Sequence, residues 1–250
     1  MGVEPIPGDP AAVADLPDGR ALVVADYHAG IEVALRRDGV EVPRRAAERR
    51  EALVALVDRE RPDRLVVLGD LSHAIGDPGR DERSEIEALF DALPADLPVT
   101  LAIGNHDGDV AGTLEPVAQL VEVTAGHGTR IGDVGFAHGH TWPSPAVLEA
   151  DVVCTGHEHP VVRLEDEVGG RRVERAWLRG ELASDPFESF HDADLDIAGD
   201  LVVFPAFNDL SGGTWVNVDA DFLSPFLPDG LVDGQAYLLD GTRLGDYRRV

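Results

Sequence analysis

The chain has 250 residues, enough for one large domain or two small ones, and 44% of them are hydrophobic, an ordinary globular share. Acidic residues total 47 against 21 basic ones, a formal net charge of -26. All the basic residues are arginine. The absence of lysine excludes a Walker-type phosphate loop and Schiff-base chemistry. The overall charge disfavours diffuse binding to nucleic acid, and no apolar run of about 18 residues offers a membrane span.

The acid is spread along the chain rather than held in a tail. Such a charge makes the compact state repel itself, and concentrated salt screens that repulsion. The expectation is a salt-rich cytoplasm, as in a haloarchaeon, the alternative being an acidic protein of an ordinary GC-rich organism. Cys154 is the only cysteine, so no internal disulfide can form, and a reducing cytoplasm is the natural compartment. MGVEPIPGDPAAVADLPDGR lacks a basic region followed by an apolar core and does not read as a signal peptide.

ALVVA (Ala21 to Ala25) reads as a buried strand. Ala46 to Glu60 carries Leu53, Leu56 and Val57 at helical spacing. RLVVLGD (Arg64 to Asp70) is the next strand. Glu82 to Leu93 reads as a helix with Ile86, Leu89 and Phe90 on one side, and PVTLAIGN (Pro98 to Asn105) is a third strand. Short apolar runs between helices suggest strands covered on both faces. Beyond about Val110 the pattern turns β-rich, with candidate strands GTRIG, VGFAHG, DVVCTGH, PVVRLED, RRVERAWL, LVVFPAF, TWVNV and QAYLLD. Ser184 to Asp200 is acidic and poorly periodic, and is expected to be an exposed loop or insertion. No internal repeat or long linker is visible.

Five strand ends carry metal-ligand chemistry. ALVVA runs into Asp26-Tyr27-His28 and LVVL into Gly69-Asp70. TLAI runs into Gly104-Asn105-His106-Asp107, GFA into His138-Gly139-His140, and DVVCT into Gly156-His157-Glu158-His159. Ligand sites in open α/β sheets gather beyond the carboxyl ends of strands. Carboxylate, amide and imidazole donors without thiolate suit Mn, Fe, Zn or a similar divalent ion. Seven such donors exceed the needs of one ion and suit two ions about 3.5–4 Å apart with a bridging carboxylate.

DYH, GD, GNHD, HGH and GHEH, in this order, resemble the five motifs of the calcineurin-like metallophosphoesterases. Within that superfamily the chain is similar to the ICC-type predicted phosphoesterases, a group associated with DNA ligase or helicase operons. The likeness extends to DYHAGIE, RRDGVEVPR, GDLSH, GHEHP, FNDLSGG, SPFL and YLLDGTRLG, and covers nearly the whole chain. The resemblance implies one domain over 1–250 with the acidic segment near 184–200 as a loop or insertion. Its fold would be a four-layer αββα sandwich of two mixed sheets. Asp26, His28 and His159 would hold one ion, Asn105, His138 and His157 the other, and Asp70 would bridge them. His106 would act as general acid or hold the phosphate, with Asp107 orienting its ring. The resemblance favours His138 over His140 as ligand and leaves His140 flanking the site or the substrate.

The implied activity is hydrolysis of a phosphate diester by metal-bridging hydroxide, with single-stranded DNA or RNA the first substrate class. The alternatives are a phosphomonoesterase, or a helicase or ligase partner whose catalysis is incidental. Mn is the expected ion, and Fe, Zn, Ni and Co suit the same donors. His73, three residues after Asp70, is close enough in sequence to reach the site or the substrate, and reads as a surface or supporting residue rather than a direct ligand. Arg36 to Arg50 holds six arginines and is the one basic island. Arg44 and Arg45 there would either contact substrate phosphate or pair along the helix with Glu48 and Glu51. Trp142 would stack on a base or pack under its loop. Tyr27 would point away from the ligands on either side of it.

Overall fold

The computed structural model describes residues 2–166, 168–218 and 221–250. The first sheet contains β1 (Val3–Pro5), β2 (Ala11–Leu16), β3 (Gly19–Val24), β4 (Arg64–Val67), β5 (Val99–Ala102) and β6 (Val121–Thr124), ordered 1-2-3-4-5-6. The first three are antiparallel, and β3 to β6 run parallel. The second sheet contains β7 (Thr129–Ile131), β8 (Val134–Ala137), β9 (Val152–Thr155), β10 (Val161–Glu165), β11 (Arg171–Leu182), β12 (Asp200–Val203), β13 (Leu231–Leu238) and β14 (Arg243–Asp246). Its order is 14-13-11-12-9-8-7, with β10 paired to β11. Here β8, β9 and β12 are parallel and the other pairs antiparallel.

Side-chain alternation divides the core into three apolar layers. Leu22 and Val24 face outward beneath α2 (Ala46–Glu60) and α3 (Arg80–Ala92), against Leu53, Leu56, Ile86 and Leu89. Ala21 and Val23 face the second sheet, where Phe136, Cys154, Trp177 and Phe204 close the central layer. The far face of the second sheet packs on α5 (Pro145–Leu148) and α6 (Ser184–His191) through Val147, Leu148 and Phe187. Two mixed sheets between two helical layers are thus the fold the motif pattern implied. The shorter helices are α1 (Ile31–Arg37) and α4 (Val110–Leu114). No helix of the described residues is long and apolar enough to cross a membrane.

Two local expectations are corrected, and one strand goes unpredicted. The acidic segment is not all loop: Ser184–His191 is helical, anchored by fully buried Phe187 against Trp142 and Phe226. TWVNV makes no strand, only an isolated bridge between Trp215 and Val161. AAVADL is a fully paired strand that its alanines conceal, since alanine has poor β-propensity yet fits a tight inter-sheet layer. Trp142 packs, stacked on Phe190 at 4.5 Å. Tyr27 is buried against Phe207, and the buried Cys154 thiol is pushed up by desolvation.

The basic island does not act as one unit. Arg49 is buried, with its Nε donating to Glu85 at 2.9 Å and Nη2 3.2 Å from Glu32. Glu85 also accepts from the Gly30 N–H and Glu32 from the Arg45 N–H, so this cluster ties α2 and α3 to the turn after the DYH motif. Arg45 pairs with Asp209, and Arg44 lies 3.9 Å from Asp81. Neither pairs with Glu48 or Glu51. Arg49→Ala would leave two buried carboxylates without their cation. The expected loss is ~3–5 kcal/mol, read as a lower urea midpoint at unchanged m. A loss below about 1 kcal/mol would mean the cluster is no stronger than a surface pair.

Candidate metal centre

The five motifs meet where β3, β4, β5, β8 and β9 end. Eight described non-glycine residues have positive φ, and five of them are Asp26, His28, Asp70, His157 and His159. Left-handed backbone is unfavourable for residues with a Cβ, and it concentrates where function over-determines conformation. Two glycines allow the closeness. A Cβ on Gly69 would lie 2.4 Å from His138 Nδ1, and one on Gly104 would lie 2.1 Å from Asp70 Oδ1.

Two donor sets form side by side. In the first, Asp26 Oδ1 is 3.2 Å and His28 Nε2 3.3 Å from His159 Nε2. In the second, His138 Nε2 is 3.1 Å from both Asn105 Oδ1 and His157 Nδ1, and 3.4 Å from Asp70 Oδ2. Asp70 Oδ2 is also 3.8 Å from His28 Nε2, so this carboxylate stands between the sets. Neighbouring donors bound at 2.0–2.2 Å to one ion lie about 2.8–3.6 Å from each other across octahedral and tetrahedral geometries. The observed spacings match. Asp26 and Asp70 are buried, and among the described residues no arginine pairs with either. Two buried carboxylates set among converging imidazoles offer a strongly negative, donor-rich site for a cation. The residues therefore fit a pair of divalent ions.

The rings are pre-set for that role. His138 Nδ1 faces the Leu68 carbonyl at 2.8 Å and His159 Nδ1 faces that of Gly212 at 2.8 Å, which turns both Nε2 atoms inward. Metal-ligating histidines are typically fixed this way. Electrostatics follow burial and charge. Desolvation lowers His28 to about 3 and His157 to about 4. At His138 burial opposes the charged ring, but Asp70 and Asp26 outweigh it and raise the group to about 9. Burial would raise Asp70, yet its hydrogen bond to His138 and the surrounding imidazoles hold it below the usual carboxylate range.

His106 stands beside these sets with Nε2 4.0 Å from Asp70 Oδ2. Its orientation corrects the expectation for Asp107. The His106 Nδ1 contacts the His73 carbonyl, while the Asp107 carboxylate accepts from the Ser72 N–H at 3.0 Å and the Gly104 N–H at 2.9 Å. Asp107 is fully buried, and burial lifts it to about 6. It fastens the GNHD turn to the GD turn rather than holding the ring. His73 does reach the site. Its ring stacks on His106 at 5.3 Å, its Nδ1 lies 3.3 Å from His28 Nδ1, and His28, His73 and His106 form a third convergent imidazole group. His140 lies outside the donor sets, 5.3 Å from His138 between ring centroids, with its buried Nδ1 unpartnered. Arg44 and Arg45 contribute no donor to them.

Two positioning residues escape the sequence reading. Asn208 donates to the Tyr27 and His28 carbonyls at 3.0 and 3.2 Å, bracing the DYH turn. Glu158, buried between His157 and His159, accepts from Thr214 Oγ1, Leu223 N and Ser224 N. A carboxylate in the middle of a ligand motif is the one signal that could have exposed Glu158.

Residues 19–161 match the sequence profile of a family described as calcineurin-like phosphoesterase. The crystal structure of the Pseudomonas putida nuclease MPE is similar with a TM-score of 0.54 and 22% identity, over 97% of this chain and 100% of that one. That likeness establishes the fold. Yfce, a phosphoesterase from E. coli, gives a TM-score of 0.41 at 16% identity, over 90% and 96% of the respective chains. No curated protein sequence matches the chain.

Proposed function

The chain belongs to the calcineurin-like phosphoesterase family, whose members use a dinuclear metal centre, and we propose that it is a phosphodiesterase acting on single-stranded nucleic acid. In this reading Asp26, His28 and His159 would hold one ion and Asn105, His138 and His157 the other, with Asp70 shared between them. Two bound ions would neutralise charge on the phosphoryl group and supply a water acidic enough to act as nucleophile near neutral pH. His106 Nε2 donates a proton to the departing oxygen. The His73 carbonyl accepts from the Nδ1 N–H, so the donating ring is the doubly protonated imidazolium, and loss of the Nε2 proton leaves the neutral Nδ1–H form. His140 flanks the second set, 5.3 Å from His138 between ring centroids, and in this reading would contact the substrate.

One observation carries the diester over the monoester. Open clefts adjoin the site at two places, one of about 550 Å³ walled by His159 and one of about 670 Å³ walled by His106 and His73. A phosphate at the ions would have room for a substituent toward each cleft. The second cleft is also lined by Arg37 and Arg80, which have no carboxylate within 4.0 Å among the described residues. The like-folded Pseudomonas protein is a nuclease, in keeping with this substrate class. The test is hydrolysis of bis-p-nitrophenyl phosphate against p-nitrophenyl phosphate, in about 2 M KCl for strong charge screening. The diester should be preferred. Preference for the monoester would make the protein a phosphatase.

Mn is the proposed ion, from the hard oxygen and borderline nitrogen donors. Membership of the ICC-type group, with a helicase or ligase partner, rests on the motif likeness alone. A haloarchaeal, cytoplasmic setting rests on the charge of -26 and the lone buried cysteine. It predicts a melting temperature that rises between low salt and molar KCl. Equal melting at both would remove this part of the reading.

A further inference from the structure

We infer that Trp215 is the platform on which a base beside the scissile phosphate stacks. This rests on the phosphodiesterase reading and names how the strand is held. Trp215 is 43% exposed and lines the cleft walled by His159, with Leu223, 61% exposed, nearby. The Arg163 guanidinium lies 5.7 Å from the indole centroid and has no carboxylate within 4.0 Å among the described residues. Aromatic rings joined by arginine cations are the sequence-tolerant element of single-strand binding.

The platform is rigidly tied to the metal centre. Thr214 N donates to the Glu158 carbonyl at 2.9 Å, and Thr214 Oγ1 donates to the Glu158 carboxylate at 2.8 Å. That carboxylate also accepts from the Leu223 and Ser224 N–H groups at 3.0 and 2.6 Å. Val161 N donates to the Thr214 carbonyl at 2.9 Å, and Val216 N to the Val161 carbonyl at 3.1 Å. The His159 ring meanwhile holds the Gly212 carbonyl. Glu158 thus joins the ligand turn to both exposed apolar side chains, an arrangement the donor sets themselves do not need. The net charge strengthens the case. A chain at -26 repels a polyanion, and a stack is far less charge-dependent than a phosphate contact.

Trp215→Ala and Trp215→Phe test this on an oligothymidylate and on bis-p-nitrophenyl phosphate. The ratio of the two kcat/KM values should fall at least about tenfold in Trp215→Ala, within the range of one base stack, and stay near the parent value in Trp215→Phe. An oligonucleotide abasic beside the cleavage point should lower kcat/KM in the parent and have little further effect in Trp215→Ala. Fluorescence anisotropy of a labelled oligonucleotide with chelator-treated protein gives a readout independent of turnover, and Trp215→Ala should bind at least about tenfold more weakly. A ratio and affinity within twofold of the parent would overturn the inference. So would a parent that hydrolyses the small diester but no oligonucleotide. A sedimentation shift from dimer to monomer in Trp215→Ala would also overturn it, making the patch an interface between copies. If the parent hydrolyses neither diester, the phosphodiesterase reading fails, and the anisotropy comparison still decides the base platform.

Discussion

Asp70→Ala is expected to lower turnover of any phosphodiester by on the order of 10³-fold or more, exceeding the 10–100-fold typical of residues that merely support a ligand. The reason is its position. One oxygen stands 3.4 Å from His138 Nε2 and 3.8 Å from His28 Nε2, one from each donor set. The other accepts the His106 N–H at 2.9 Å, so the same carboxylate also seats the turn carrying Asn105. Alanine would remove the charge that couples the two ions and loosen that turn. Asp70→Asn separates the effects, because its amide oxygen keeps the His106 bond while the charge is gone. Metal content by atomic emission should drop in both variants. Full metal with full activity in Asp70→Ala would end the assignment of Asp70 as bridge.

His106→Ala is expected to retain its metal and lose about 10²–10⁴-fold in kcat on substrates with poor leaving groups. His106 is not part of either donor set, and its Nε2 is 4.0 Å from the Asp70 carboxylate. A proton donor matters most when the departing alkoxide is strongly basic. The loss should therefore be large on an alkyl diester and small on a nitrophenyl diester. Equal losses on both would reassign His106 to holding the phosphate, and loss of metal would place it among the ligands.

The sequence was most informative where one physical cause acted locally. The helix over Ala46–Glu60 is legible because Leu53, Leu56 and Val57 return to one face. The strands before the motifs are legible because they are buried on both sides and read as unbroken apolar runs. The donors are legible because each follows such a run directly. Contacts between distant residues left no such trace. Arg45 finds Asp209 164 residues away, and Asn208 braces Tyr27 from 181 residues away. The resemblance implies that Asp107 orients His106, whereas its carboxylate turns to two backbone N–H groups, a contact that neighbouring residues in the chain do not reveal. Trp215 was read as part of a strand because TWVNV has strand composition, whereas the segment is held by Glu158 rather than by a sheet ladder.

The central claim is that two ions in one site perform the hydrolysis. The most direct measurement titrates Mn into metal-stripped protein while following both binding and hydrolysis of bis-p-nitrophenyl phosphate. The account predicts two equivalents bound per chain, no turnover before metal is added, and activity that rises with the second equivalent. Turnover that survives chelation, or activity complete at one equivalent, would contradict it.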